Sequence, residues 1–169
     1  LWAKNLKNGS RWQVFDLHLS GSSFPGTNME ILVGDTIYFD ATTLFGGTEL
    51  WAHDTSNHST WLVANINGAG GSNPGYQNSM YILVGDTIYF IATDGIHGYE
   101  LWAHDSSNHS TWLVADIYSG QTSSTLGMTM EILIGDTIYF DANDGSDGSE
   151  LWAHNTSNHS TWQVTDINI

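Results

Sequence analysis

The sequence predicts an all-β fold made of repeated four-stranded antiparallel units, and three observations carry this prediction. The eight tryptophans form four pairs whose partners are ten positions apart, and the pairs recur after 49, 51 and 50 residues. A nine-residue phrase, Ile-Leu-Val-Gly-Asp-Thr-Ile-Tyr-Phe, begins at Ile31 and Ile82 and returns at Ile132 with one substitution. A second phrase, Ser-Asn-His-Ser-Thr-Trp, occurs in three of the repeats. A fixed period of about 20 to 50 residues is typical of arrays whose units cannot bury their own apolar faces.

Each repeat contains two predicted hairpins. The runs Glu30–Val33 and Thr36–Asp40 are rich in β-branched and aromatic residues, and Gly34-Asp35 between them favours a two-residue hairpin loop. The runs Glu49–Asp54 and Thr60–Ile66 form the second pair and are joined by a polar loop. No segment keeps a 3.6-residue apolar period, so we expect almost no helix.

The expected strand pairing makes both faces of each sheet apolar. We expect Val33 to lie opposite Thr36 in the first hairpin and Trp51 opposite Trp61 in the second. An antiparallel sheet with one wet face would instead alternate apolar and polar residues. Four short antiparallel strands per ~50 residues, packed face to face, are typical of β-propeller blades. A β-solenoid is the alternative, although its usual units are shorter.

The repeats divide the chain into one continuous domain of about three and a half blades. Residues 1–19 form a half repeat with blade strands three and four, followed by repeats at 20–67, 68–118 and 119–169. Because the chain starts inside a repeat and without methionine, we expect a piece of a longer protein.

Composition excludes several classes of function. The chain has 18 acidic and three basic residues, a net charge of −15, and Lys4, Lys7 and Arg11 all lie in the half repeat. Binding nucleic acid through its phosphates requires clustered Lys and Arg, so we expect no nucleic-acid partner. No apolar run reaches the length of a membrane span, so we expect no membrane insertion. The absence of cysteine excludes disulfides and thiolate metal sites.

The phrase Glu-Leu-Trp begins at Glu49, Glu100 and Glu150, each time after a Tyr-Phe strand. In this arrangement the chain resembles the bacterial and archaeal repeats named for Glu-Leu-Trp-x-x-Asp-Gly-Thr, found in large secreted or surface-associated proteins. The following turn differs, because Asp-Gly-Thr is replaced by His53-Asp54-Thr55 and its counterparts. The resemblance implies a propeller-like fold and an extracellular or cell-surface setting, and it carries no agreed catalytic residues.

Oxygen-bearing side chains cluster in the last repeat and predict a candidate calcium loop. These residues are Asp141, Asn143, Asp144, Asp147 and Glu150. The alternative is a turn-forming Asp-Gly segment, because the equivalent stretches of the other repeats have fewer such side chains. No other cofactor is predicted.

Six histidines recur as pairs that bracket the second hairpin turn: His53/His58, His104/His109 and His154/His159. The expected pairing puts His53 opposite Ser59, so the two imidazoles of a pair point to opposite faces of the sheet. This favours solvated turn residues over a divalent metal site.

Five Asn-x-Ser/Thr sequons fall at the same kind of turn and predict candidate glycosylation sites. Their asparagines are Asn8, Asn57, Asn108, Asn155 and Asn158. The alternative is that the phrase is simply favourable turn chemistry.

The sequence predicts a non-catalytic extracellular or cell-surface scaffold that mediates binding or self-assembly. It contains no Gly-x-Ser-x-Gly elbow, no phosphate-binding Gly-Lys-Ser/Thr loop and no His-Glu-x-x-His. The expected partners are copies of the chain or further repeats of its parent. One alternative is a lectin-like module that binds surface glycans through residues in the links, the segments that connect one repeat to the next. Examples of such residues are Phe24, Tyr76 and Tyr118. Another is a calcium-stabilised adhesion module.

Overall fold

The computed structural model describes residues 1–146 and 148–166, apart from the side chain of Asn78. It contains one two-stranded and three four-stranded antiparallel sheets. The half-blade consists of β1 (Trp2–Lys4) and β2 (Arg11–Gln13). Blade 1 consists of β3 (Glu30–Val33), β4 (Thr36–Thr43), β5 (Gly47–Asp54) and β6 (Thr60–Ala64). Blade 2 consists of β7 (Tyr81–Val84), β8 (Thr87–Ala92), β9 (Glu100–Asp105) and β10 (Ser110–Ala115). Blade 3 consists of β11 (Glu131–Ile134), β12 (Thr137–Asn143), β13 (Ser149–Asn155) and β14 (Ser160–Thr165).

The prediction of an all-β, propeller-like array of about three and a half blades is confirmed. Strands follow chain order across each complete blade, so every blade is an antiparallel meander. Among the described residues, the links between repeats contain a single 3₁₀ turn, Tyr76–Asn78. No helix in that part of the chain is long and apolar enough to cross a membrane.

The first hairpin of each blade has the predicted pairing. Val33 lies opposite Thr36, and the two later blades repeat this register. The loop residue Gly34 has a φ of 59°, a backbone conformation that glycine adopts without steric cost.

The predicted pairing of the second hairpin is wrong by one residue. Trp51 lies opposite Leu62, and Trp61 lies opposite Ala52, with a bulge between Leu50 and Trp51. Because neighbouring residues of a strand point to opposite faces, this register places the two tryptophans of a repeat on opposite faces of the blade. The loop between β5 and β6 is one residue longer than it would be if Trp51 paired with Trp61.

Cores form where one blade packs on the next, so both faces of blade 2 are covered as expected. The first core contains Met29, Tyr38, Leu50 and Ala52 from repeat 1 and Ile88, Phe90 and Ala92 from blade 2. The second contains Met80, Tyr89, Ile91, Leu101, Ala103, Ile117 and Leu126 together with Ile138, Phe140 and Ala142 of blade 3. Trp61, Trp102, Trp112 and Trp152 pack against these cores. These four tryptophans therefore have a packing role.

Candidate functional site

A tyrosine of one blade lies against a histidine of the next at both boundaries between complete blades. The ring centroids of Tyr38 and His104 are 5.3 Å apart, as are those of Tyr89 and His154. The Nδ1 atom of each histidine lies 2.8 Å from a threonine hydroxyl on the adjacent strand. Each Nε2 atom is buried and has no hydrogen-bond partner among the described residues.

The environment of these histidines favours the neutral ring. Burial, with a smaller contribution from the charge of His109, lowers the pKa of His104 to about 4. Burial and the charge of His159 lower the pKa of His154 to about 4 in the same way. Both imidazoles are therefore neutral at pH 7, and protonation would put a charge at a buried blade boundary.

The histidines of the first pair, His53 and His58, approach each other, contrary to the expectation that they face opposite sides. The rings of His53 and His58 stack with centroids 6.4 Å apart and an interplanar angle of 25°. The shifted register pairs His53 with Thr60, and His58 adopts a left-handed φ of 62° that turns its ring back towards the sheet. The half-blade has Gly9 at the position of His58, with a φ of 74°, so a glycine satisfies the same turn there.

A groove of about 280 Å³ lies beside His53, between the half-blade and blade 1. Its walls include Ala3, Trp12, Val14, Ile37, His53 and His58. Ala3 pairs with Trp12 just as Ala52 pairs with Trp61 in blade 1. In blade 1, Ala52 is paired on its other side with Tyr38, whose ring lies against His104. The groove therefore occupies the place that a tyrosine fills at the other two boundaries.

The outward side of blade 3 exposes a row of apolar side chains, which we call the terminal face. Its exposed members are Ile132, Ile134, Trp162 and Val164. Their counterparts in blade 1, which pack into a core, are Ile31, Val33, Trp61 and Val63. Those in blade 2, packed likewise, are Ile82, Val84, Trp112 and Val114. The same apolar row is thus covered in blades 1 and 2 and exposed in blade 3.

The glutamates that open the first two Glu-Leu-Trp phrases have a role that the sequence did not predict. The Glu49 carboxylate accepts hydrogen bonds from the backbone amide and the hydroxyl of Ser72. The Glu100 carboxylate accepts from the backbone amides of Ile117, at 2.8 Å, and Ser124, at 3.0 Å. Each glutamate thus ties its blade to the link that follows. Burial raises the pKa of Glu49 and raises that of Glu100 to about 7.

The structure separates the described members of the candidate calcium loop. Asp141 accepts hydrogen bonds from two backbone amides of the preceding link, and Asn143 and Asp144 accept from amides within their own turn. Hydrogen bonds from Ser146 hold the pKa of Asp144 below its usual value, although the slight burial opposes them. Glu150 is buried on the opposite face of the sheet from Asp141, and Asp147 lies outside the described residues. Within residues 1–146 and 148–166, no three His, Asp or Glu side chains are arranged to hold a metal ion. Calcium binding stays a prediction.

Four of the five sequon asparagines are exposed at hairpin turns: Asn8, Asn57, Asn108 and Asn158. Asn155 is only half-exposed. The side-chain nitrogens of Asn57 and Asn108, to which a glycan would be attached, each donate to an aspartate at 2.7 Å. Glycosylation also stays a prediction, and at these two sites it would replace a turn hydrogen bond.

Tyr76, one of the three aromatic residues predicted to contact glycans, stacks on another ring and lines a groove. Its ring stacks on Tyr99 with centroids 4.4 Å apart and an interplanar angle of 7°. Asn73 donates a hydrogen bond of 2.9 Å to the Tyr99 hydroxyl. The pair lines a groove of about 260 Å³ together with Ser123 and Thr125. Phe24 is exposed and Tyr118 is half-buried.

Comparisons with known proteins agree with this architecture. Two crystal structures of puromycin hydrolase align with TM-scores of 0.58 and 0.57 at 10% identity, over 84% and 80% of this chain. A puromycin-hydrolyzing peptidase from Mycobacterium tuberculosis aligns with a TM-score of 0.52 at 13% identity, over 84% of this chain. The chain spans about a fifth of the length of these structures. No protein-family model matches the sequence, and no curated protein sequence matches it. At these identities the likeness shows the fold alone, which is that of β-propeller blades.

Proposed function

We propose that the chain is a non-catalytic scaffold of an extracellular or cell-surface protein, and that it self-assembles through the terminal face. The exposure of the apolar row on blade 3 supports this proposal. Exposed apolar patches of this kind mark interaction surfaces, because burying them removes apolar area from water. The partner is a further blade of the same type, supplied by a second copy of the chain.

The two ends of the chain differ in charge in a way that favours contact between copies. The half repeat carries Lys4, Lys7 and Arg11 against the single acid Asp16, a net charge of +2. The chain as a whole carries −15. A head-to-tail contact therefore brings the only basic segment against an acidic blade, and such complementarity orients the encounter of two copies.

Light scattering tests this assembly. The wild-type chain is expected to exceed its monomer mass of 18.6 kDa. The variant Ile134→Asp places a charge on the terminal face at a residue that is 61% exposed, so it should fold normally and run at the monomer mass. Ile96→Asp is the matched control, since Ile96 is 64% exposed but lies in the turn between β8 and β9, away from the terminal face. A wild-type chain that runs as a monodisperse monomer would contradict the proposal.

A lectin-like module is the second candidate, and the groove at Tyr76 is the observation that favours it. An aromatic ring next to side-chain hydroxyls is the combination that binds the apolar face and the hydroxyls of a sugar. If the candidate holds, a glycan array gives hits that are lost in Tyr76→Ala and kept in Phe24→Ala. An array without hits eliminates the candidate.

A further inference from the structure

We propose that the groove beside the half-blade binds a β-hairpin with the sequence pattern of this repeat's own first two strands. The hairpin has the pattern Glu-Ile-Leu-x-Gly-Asp-Thr-Ile-Tyr-Phe, adds to the edge of β1, and places its tyrosine over His53. This site is separate from the terminal face, which lies at the other end of the array.

The backbone edge of β1 is open to an incoming strand. Among the described residues, β1 pairs with β2 alone. Its counterparts β5, β9 and β13 pair on both edges, and the second partner is always the strand that carries Thr-Ile-Tyr-Phe. An edge of this kind presents backbone donors and acceptors that an incoming strand can satisfy, which is the basis of recognition by strand addition.

Blade 1 leaves apolar surface open on the side that faces the half-blade. Leu32 is 60% exposed, whereas its counterparts Leu83 and Leu133 pack into the cores. Ile37 is half-buried, whereas its counterparts Ile88 and Ile138 are fully buried. In blades 2 and 3 the first hairpin of the preceding blade covers these positions. The same hairpin placed on the half-blade would cover Leu32 and Ile37 together and would lie against His53, which is already buried.

The half repeat and the hairpin carry opposite charges. The half repeat carries a net charge of +2, and the hairpin Glu131–Phe140 carries −2 from Glu131 and Asp136. The one basic segment of the chain is therefore the segment that would receive an acidic hairpin. This complementarity favours the repeat's own hairpin over an apolar or basic strand.

A labelled peptide tests the site on the intact chain. A fluorescein-labelled peptide with the sequence of residues 129–143 is titrated with the protein, and its fluorescence anisotropy is followed. We expect saturable binding that weakens at least about tenfold when the peptide carries Tyr139→Ala. In the protein, Trp12→Ala should weaken binding by a similar factor, because Trp12 lines the groove. The matched control is Trp162→Ala, at the same repeat position on the terminal face, with 40% exposure against 46% for Trp12.

Two outcomes would overturn the proposal. The first is the absence of saturable binding. The second is loss of binding in Trp162→Ala with retention in Trp12→Ala, which would put the peptide on the terminal face. Backbone hydrogen exchange provides a readout that needs no variant. A bound hairpin slows exchange in Trp2–Lys4, and unchanged exchange there at saturating peptide contradicts strand addition.

Discussion

Replacing Phe90 with alanine is expected to lower the free energy of unfolding by about 3–5 kcal/mol, the usual range for a buried phenylalanine. Phe90 is fully buried in the core between blades 1 and 2, next to Tyr38 and Leu50. Truncation removes its apolar area from the core and leaves a cavity that the β-sheets on either side cannot easily fill. Urea denaturation followed by tryptophan fluorescence measures the change.

The control for this substitution is Phe45→Ala. Phe45 is 96% exposed in the turn between β4 and β5, so its truncation should change the free energy of unfolding by less than about 0.5 kcal/mol. The blades of an array contact mainly their neighbours, so unfolding in more than one step in Phe90→Ala would show that blade 1 has separated from blade 2. Equal midpoints for the two variants would contradict the packing described here.

Acidification from pH 7 to pH 4 is expected to destabilise the chain through His104 and His154. Burial lowers the pKa of each from the ordinary value of 6.5 to about 4, so the unfolded chain takes up these protons first. Their contribution to stability is therefore complete above pH 6.5 and is lost as the pH falls towards 4. A displacement of this size corresponds to about 3 kcal/mol for each histidine.

Glu100 acts in the opposite direction over nearly the same pH range. Burial raises its pKa from 4.5 to about 7, so the folded chain binds this proton more tightly than the unfolded chain. Its contribution makes the protein more stable as the pH falls from 7 to 4.5. The total pH dependence is thus a difference between two effects, and the histidine contribution has to be isolated by substitution.

Comparison of His154→Asn with His159→Asn isolates that contribution. His159 is exposed in the turn and its charge is the smaller of the two causes that lower the pKa of His154, so stability in His159→Asn should stay close to the wild-type pH dependence. Between pH 7 and pH 4, His154→Asn should lose about 3 kcal/mol less than the wild type, even though it is less stable at pH 7. Parallel curves for His154→Asn and the wild type would show that His154 is not the group that titrates.

The pH dependence bears on function because these histidines lie at blade boundaries. Tyr38 covers His104 and Tyr89 covers His154, so protonation of either ring weakens the contact between two blades. In the first boundary no tyrosine ring lies against His53 among the described residues, yet His53 is only 4% exposed, and burial, together with the charge of His58, lowers its pKa. A hairpin bound in the groove would place a tyrosine against His53 and make this boundary resemble the others.

The sequence by itself determined the number of blades, their strand order and the first hairpin of each repeat. These features follow from local signals: the ~50-residue period, the β-branched runs and a two-residue loop that starts at Gly34. The all-β class follows from the same signals, because two-residue alternation and frequent turns leave no room for an amphipathic helix.

Only the tertiary structure decided the second hairpin and the chemistry of its polar residues. The register of the second hairpin depends on a left-handed backbone conformation at His58 and on a bulge before Trp51. A glycine at these positions would have indicated such a conformation, but the sequence has none there. The recurrence of Glu before Leu-Trp showed that Glu100 belongs to the repeat, but it did not show what the side chain contacts. Its hydrogen-bond partners lie 17 and 24 residues away along the chain. Likewise, His104 is neutral and buried because a tyrosine of another blade covers it. A local pattern determines which strand forms, whereas burial depends on the neighbouring blade.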